Sequence, residues 1–101
     1  MDDGRVSEAI SNAHAQAMLN VSQCLTDAQT EEFKTLLTTK RPNYVRRLDG
    51  KKTFLEIASI LLSGKIIEYG QYSELRNMFV QIGRKDLVDK LTAAEKQIAD
   101  M

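Results

Sequence analysis

The sequence has 101 residues, of which 43% are hydrophobic and 28% are charged. That composition is typical of one soluble, folded domain. Fourteen basic residues balance fourteen acidic ones, so net charge gives no general attraction to nucleic acid or anionic membrane. One cysteine and one histidine exclude an internal disulfide and cannot supply a normal zinc ligand set. We therefore expect a single domain over 1–101, with its core at about 7–99, and neither metal nor cofactor.

Targeting and membrane signals are missing from the sequence. No stretch approaches the roughly 18 consecutive apolar residues of a membrane span. The N-terminal residues Met1–Arg5 are acidic and lack the apolar core of a signal peptide. The sequence therefore predicts a cytoplasmic or nuclear protein.

The first element is a predicted helix at about Ser7–Cys24. Ser7 has the residue type of an N-cap. The helix is indicated by apolar residues that recur every three or four positions, namely Ile10, Ala13, Ala17, Val21 and Leu25. Cys24 lies beside this apolar stripe, and we expect a plain buried thiol there.

A second helix follows at once. Thr26 and Gln29 have the spacing of a capping box, and the helix should run to about Thr38 with Phe33, Leu36 and Leu37 facing inward. Pro42, the only proline, ends it because proline cannot continue the hydrogen-bonding pattern.

Residues 40–52 form a basic segment with a single acid, Asp49. Its basic residues are Lys40, Arg41, Arg46, Arg47, Lys51 and Lys52. Asp49-Gly50 is a turn signal, so only a short helix at about Asn43–Leu48 fits. Tyr44 lies among these basic residues, an interleaving found in nucleic-acid binders. Because the domain is neutral overall and has no helix-turn-helix pattern, the segment is interpreted first as a solvated loop, next as a protein-binding surface and last as a nucleic-acid site.

Three further helices are predicted in the second half of the chain. They cover about Lys52–Ser63, Gln71–Ile82 and Arg84–Ala99, and their apolar residues repeat with helical spacing. Gly64 is expected at the C′ position of the first of them, and Ile66-Ile67 as an apolar loop anchor. Six helices with short connections predict an all-α, antiparallel bundle.

Catalytic motifs do not occur in this sequence. There is no glycine-rich phosphate loop, no nucleophile elbow and no H-E-x-x-H. A nucleophilic pair of Cys24 and His14 has no supporting motif. We therefore predict a protein that is not an enzyme and has no catalytic residue.

Landmarks in the second half occur in a recognisable order. The fourth helix ends in Leu61-Leu62, a short polar turn Ser63-Gly64-Lys65 follows, and the motif Arg84-Lys85-Asp86-Leu87 opens the last helix. This order resembles the death effector domain family, in which an R-x-D-L motif begins the sixth helix. The second helix, LTDAQTEEFKTLL, is similar to that family's second helix, so the resemblance covers about Val21–Leu91. It implies a six-helix death-fold bundle.

The resemblance also implies a charge triad. In the family, the arginine and the aspartate of R-x-D-L interact with an acidic residue of helix 2, which here makes Arg84 and Asp86 the charge motif, with Leu87 beside them. The position of the helix 2 acid is Gln29, which has no charge. Either the triad is incomplete, or a neighbour such as Glu32 replaces the acid.

Candidate binding residues follow from the same comparison. Family members often have an exposed aromatic residue where this sequence has Thr35. Exposed apolar residues on helix 5, or the tyrosines at its start, Tyr69 and Tyr72, are candidates to compensate. The basic segment supplies further candidates, Arg41, Arg46, Arg47 and Lys51, which would face acids of helices 1, 2 or 6 on a partner.

The resemblance implies a homotypic interaction module. Its partners would be other death effector domains, in the same protein or in an adaptor or initiator caspase, and self-association would produce rings or filaments. Such a module recruits or assembles components of apoptotic or innate-immune signalling complexes. Two alternatives remain: another death-fold subclass, of the pyrin or caspase-recruitment type, or a small helical nucleic-acid binder that uses residues 40–52.

Overall fold

The computed structural model describes residues 7–101, so the sequence argument against a signal peptide at Met1–Arg5 lies outside the described residues. In chain order the elements are α1 (Glu8–Cys24), α2 (Asp27–Lys40), a 3₁₀ helix (Pro42–Tyr44), α3 (Val45–Leu48), α4 (Phe54–Ser63), α5 (Ser73–Gln81) and α6 (Lys85–Ala99). Residues 7–101 contain no β-strand. The predicted all-α, six-helix bundle is confirmed.

Side-chain caps fix where the longer helices begin. The Ser7 hydroxyl accepts the backbone N–H of Ile10 at the start of α1, as predicted. Thr26 and Gln29 form the predicted capping box at the start of α2. A second capping box, which the sequence prediction missed, joins Thr53 to Glu56. It sets the start of α4 two residues after the predicted Lys52, because the N-cap residue itself has extended backbone angles.

The core is built around three phenylalanines from different helices. Phe33 of α2, Phe54 of α4 and Phe79 of α5 are each at most 1% exposed. Their ring centroids lie 5.1–5.7 Å apart, within the range in which aromatic pairs attract one another. This cluster holds α2, α4 and α5 together on one side of the bundle.

Helix α6 packs against both α1 and α5. Its buried residues, Leu87, Leu91, Ala94 and Ile98, are those that the helical spacing predicted. The loop before α5 also reaches the core, because Ile67 is 1% exposed, as expected of a loop anchor.

A tight turn before α5 shifts the start of that helix. Glu68 and Gln71 exchange backbone hydrogen bonds, so Gln71 belongs to the turn and α5 begins at Ser73 rather than at the predicted Gln71. Gly70 has φ +79°, and a Cβ there would lie 2.9 Å from Ile98. The turn therefore needs glycine both for its backbone angle and for its close approach to α6.

Two local predictions are corrected by the structure. Gly64 has φ −85°, and the left-handed residue is its neighbour Lys65. Glycine is required at position 64 for a different reason: a side chain there would collide with the hydroxyl of Tyr44. Cys24, the last residue of α1, is only half-buried and packs against the edge of the core.

Candidate functional site

The start of α6 forms a polar cluster with α2 that we call the Arg84 corner, consisting of Arg84, Asp86 and Gln29. Arg84 is the N-cap residue of α6. Its Nε donates to Oδ1 of Asp86 at 3.0 Å and its Nη2 to Oδ2 at 2.8 Å. Its Nη1 donates to Oε1 of Gln29. One guanidinium thus makes a bidentate contact within α6 and a third contact to α2.

Gln29 has a second role in this corner. The same Oε1 accepts the backbone N–H of Thr26 at 3.2 Å in the capping box of α2. The backbone of Arg84 is held in turn, because its N–H donates to the carbonyl of Phe79 at 2.8 Å. The corner therefore joins the start of α2, the end of α5 and the start of α6.

Charge in the Arg84 corner is strongly paired. The hydrogen bonds from Arg84 lower the pKa of Asp86 to about 2, and the hydrogen bonds to Asp86 raise the pKa of Arg84. An aspartate whose pKa is lowered by folding stabilises the folded state at pH values above its pKa in the unfolded chain. That contribution is lost as the pH falls toward the folded value. The pair is thus fully ionised at neutral pH.

Glu32 does not have the place that the sequence proposed for it. It is exposed on α2, and the partners of Arg84 within residues 7–101 are Asp86 and Gln29. The capping box turns the Gln29 side chain back to the N-terminus of α2, toward Arg84, whereas Glu32 is three residues further round the helix. Leu87 is fully buried, so its role in the motif is packing.

The basic segment, residues 40–52, presents two exposed arginines. Arg46 and Arg47 lie on α3 and are both exposed. The guanidinium of Arg47 lies 5.0 Å from the ring centroid of Tyr44, and Tyr44 is only 7% exposed. Because its ring is covered, Tyr44 offers no open face on which a nucleic-acid base can stack.

Other basic residues of the segment bind to the domain itself. Nη2 of Arg41 lies 3.4 Å from Oε2 of Glu74 on α5. The carbonyl of Lys51 accepts from Nζ of Lys34 on α2 at 2.9 Å. These contacts hold both ends of the segment against the bundle, and α3 between them buries Leu48 but exposes Arg46 and Arg47. Arg46 and Arg47 are therefore better placed than Arg41 to meet a partner.

Tyr72 was predicted to contact a partner, and the structure corrects this. Its side chain is fully buried, because α5 begins one residue later and the ring turns inward beneath α1. Tyr69 is half-buried and packs edge-on against His14. Neither ring can take the place of the exposed aromatic residue that the resemblance leads one to expect at Thr35. The exposed apolar side chain that α5 does offer is Val80, which is 51% exposed.

Groups that would carry other functions are separated. Cys24 and His14 are ten residues apart on α1, about 15 Å along a helix, so they form no nucleophilic pair. Within residues 7–101 no three histidine, cysteine or acidic side chains are grouped so that they can hold a metal ion. In the same part of the chain no helix is long and apolar enough to cross a membrane.

The bundle of six α-helices, with its bidentate Arg84–Asp86 pair at the start of α6, is compatible with a death fold. A comparison with protein families then identifies the subclass, because the family model of the death effector domain matches residues 15–97. The chain belongs to the death effector domain family, whose members are death-fold interaction modules and mediate homotypic contacts. This excludes the pyrin and caspase-recruitment subclasses as alternatives. No curated protein and no solved structure matched the chain.

Proposed function

We propose that this domain recruits or assembles apoptotic or innate-immune signalling complexes in the cytoplasm by binding other death effector domains, including further copies of itself. Its partners would be the effector domains of adaptors or initiator caspases. The single observation that supports this most is the pair Arg46 and Arg47, exposed on α3. Paired exposed cations of this kind favour an acidic surface on a partner.

An acidic counterpart is present on the same domain. Asp27, Glu31 and Glu32 are exposed near the start of α2, and we call them the acidic end of α2. The contact of Glu31 with Lys34 is long, at 4.0 Å. An unlike pair of surfaces on one molecule lets each copy bind the next through a heterologous contact, which propagates into rings or filaments.

The proposal is tested by sedimentation velocity over a concentration series of the 101-residue chain. We expect the wild type to self-associate and the association to weaken with added salt, because salt screens exposed charges. The double variant R46E/R47E should remain monomeric. The control is K90E/K96E, which reverses two exposed lysines of α6 and should associate as the wild type does.

Two results would contradict the proposal. One is association of R46E/R47E equal to that of the wild type. The other is a wild type that stays monomeric and binds no death effector domain from a panel of adaptors and initiator caspases. Steeply salt-dependent binding of arbitrary duplex DNA, lost in R46E/R47E, would instead support the nucleic-acid alternative.

A further inference from the structure

A buried imidazole connects α1 to the turn that precedes α5. His14, the only histidine of the chain, is 7% exposed. Its Nδ1 lies 2.7 Å from the hydroxyl of Tyr72, whose side chain is fully buried. The ring of Tyr69 meets the imidazole edge-on, with centroids 4.8 Å apart. The hydrogen bond between His14 and Tyr72 spans 58 residues of sequence, so it joins two distant parts of the chain.

The imidazole also lines a surface groove of about 220 Å³ between α1 and α4. The rest of that lining is apolar or uncharged, and consists of Ala15, Met18, Leu55, Ala58, Ser59 and Leu62. From α4, therefore, no charged side chain lines the groove beside His14. No anionic side chain in this lining would stabilise a positive charge on the imidazole ring.

The charged groups on the other side are already engaged. Glu95 of α6 accepts the backbone N–H of Tyr72 at 2.7 Å through Oε2. Its Oε1 lies 3.2 Å from Nε of Arg76 on α5. Within residues 7–101 no carboxylate forms an ion pair with His14, and the ionisable groups that touch its ring are Tyr69 and Tyr72. No carboxylate of residues 7–101 therefore pairs with the imidazole to offset the cost of charging it.

We propose that Tyr72 donates its hydroxyl proton to the unprotonated Nδ1 of His14, and that protonation of His14 ends this donation, leaves the Tyr72 proton without an acceptor and loosens α1 from the 68–72 turn. In the protonated ring both nitrogens are donors. The Tyr72 oxygen can then accept from Nδ1–H, and a backbone hydrogen bond from Gly70 also reaches it. The Tyr72 proton, however, has no second acceptor among the hydrogen bonds of residues 7–101. Burial raises the pKa of Tyr72, so its hydroxyl keeps the proton that it donates. The domain would thus be destabilised in mild acid.

The direction of the effect follows from proton linkage. Burial lowers the pKa of His14 below its ordinary value of 6.5. At pH values above the pKa of His14 in the unfolded chain, the ring is neutral in the folded and the unfolded state, and its protonation does not reduce stability. As the pH falls below it, the unfolded chain binds the proton more readily than the folded domain, so stability declines. At pH values below the pKa of both states, the folding equilibrium constant is ten times lower for each pH unit by which folding lowers the pKa of His14.

The experiment uses the single histidine as its own probe. One imidazole signal in ¹H–¹³C NMR spectra, followed from pH about 7.5 to about 5.5, should give a pKa below 6.5. The amide signals of 66–72 and α1 should shift with the same midpoint. Denaturant unfolding over this range should show wild-type stability falling with pH, and H14Q should show no such fall.

Two tyrosine variants identify the bond responsible. Y72F keeps the ring but removes the hydroxyl, so the pKa of His14 should rise toward 6.5 and the stability loss should shrink. Y44F removes the hydroxyl of another buried tyrosine, beside Gly64, and should leave the titration of His14 unchanged. Titration of His14 at or above 6.5 overturns the proposal, as does an unaltered titration in Y72F. These readouts are stability and pKa, so the inference does not depend on the proposed partners.

Discussion

Gln29 is the residue that distinguishes the Arg84 corner of this domain. It has an amide where the resemblance to the family implies a carboxylate, so Arg84 faces one negative charge, that of Asp86. The amide oxygen still accepts from Arg84 and from the backbone of Thr26. An uncharged amide at position 29 therefore still joins α6 to the start of α2, and the net charge of the Arg84 corner is zero.

Substitution of Gln29 separates these two contributions. Q29A removes an acceptor shared by two donors, and we expect the free energy of unfolding to fall by about 1 kcal/mol. Q29E keeps the capping box and adds a half-exposed ion pair with Arg84, so we expect the free energy of unfolding to rise by about 0.5 kcal/mol. Denaturant unfolding of both variants at neutral pH would measure these two changes. Destabilisation by Q29E would mean that the corner excludes a second carboxylate.

Individual contacts were predictable from the sequence only when they were local. Arg84 and Asp86 are two residues apart, and the resemblance to the family's R-x-D-L motif implied their pairing, which the structure contains. The fate of Tyr72 depended on the Glu68–Gln71 turn and on His14, which is 58 residues away. No spacing rule links such distant residues, and the burial of Tyr72 was therefore missed.

Helix interiors were predictable from apolar spacing because one buried face repeats every three or four residues. Helix ends were less so, since they depend on single side chains and tight turns. The start of α4 was placed two residues early because the Thr53–Glu56 capping box was overlooked. Backbone N–H groups of Lys52 and Thr53 donate to Glu56, and these bonds lower the pKa of Glu56.

The capping box of α4 makes a measurable prediction. T53A removes the hydroxyl that accepts from the backbone of Glu56, and we expect the free energy of unfolding to fall by about 1 kcal/mol. T39A is the matched control, because Thr39 is an exposed threonine inside α2 whose hydroxyl donates to a carbonyl of its own helix. Its effect should be much smaller. Equal losses in the two variants would show that the cap adds nothing.

Over the whole molecule, zero net charge conceals a separation of charge along α2. The acidic end of α2 begins at Asp27 and the basic segment begins at Lys40. Fourteen helical residues place these two ends about 20 Å apart, more than the Debye length of about 8 Å at physiological salt. The two surfaces are thus screened from each other within one domain, and each is available to the opposite surface of another copy.

A mixing experiment tests this arrangement at the scale of the assembly. R46E/R47E damages only the basic surface, and E31K/E32K damages only the acidic end of α2, so neither variant should self-associate. Mixed together, the intact acidic end of the first can bind the intact basic surface of the second. A heterologous contact that cannot propagate then stops at a one-to-one dimer, which sedimentation velocity would resolve from monomers and larger species. A mixture that stays monomeric would contradict the heterologous contact. Self-association of E31K/E32K alone would instead mean that α3 binds an acidic surface other than α2. A D89K variant, which alters an exposed acid of α6, would locate that surface if it failed to self-associate but formed a dimer with R46E/R47E.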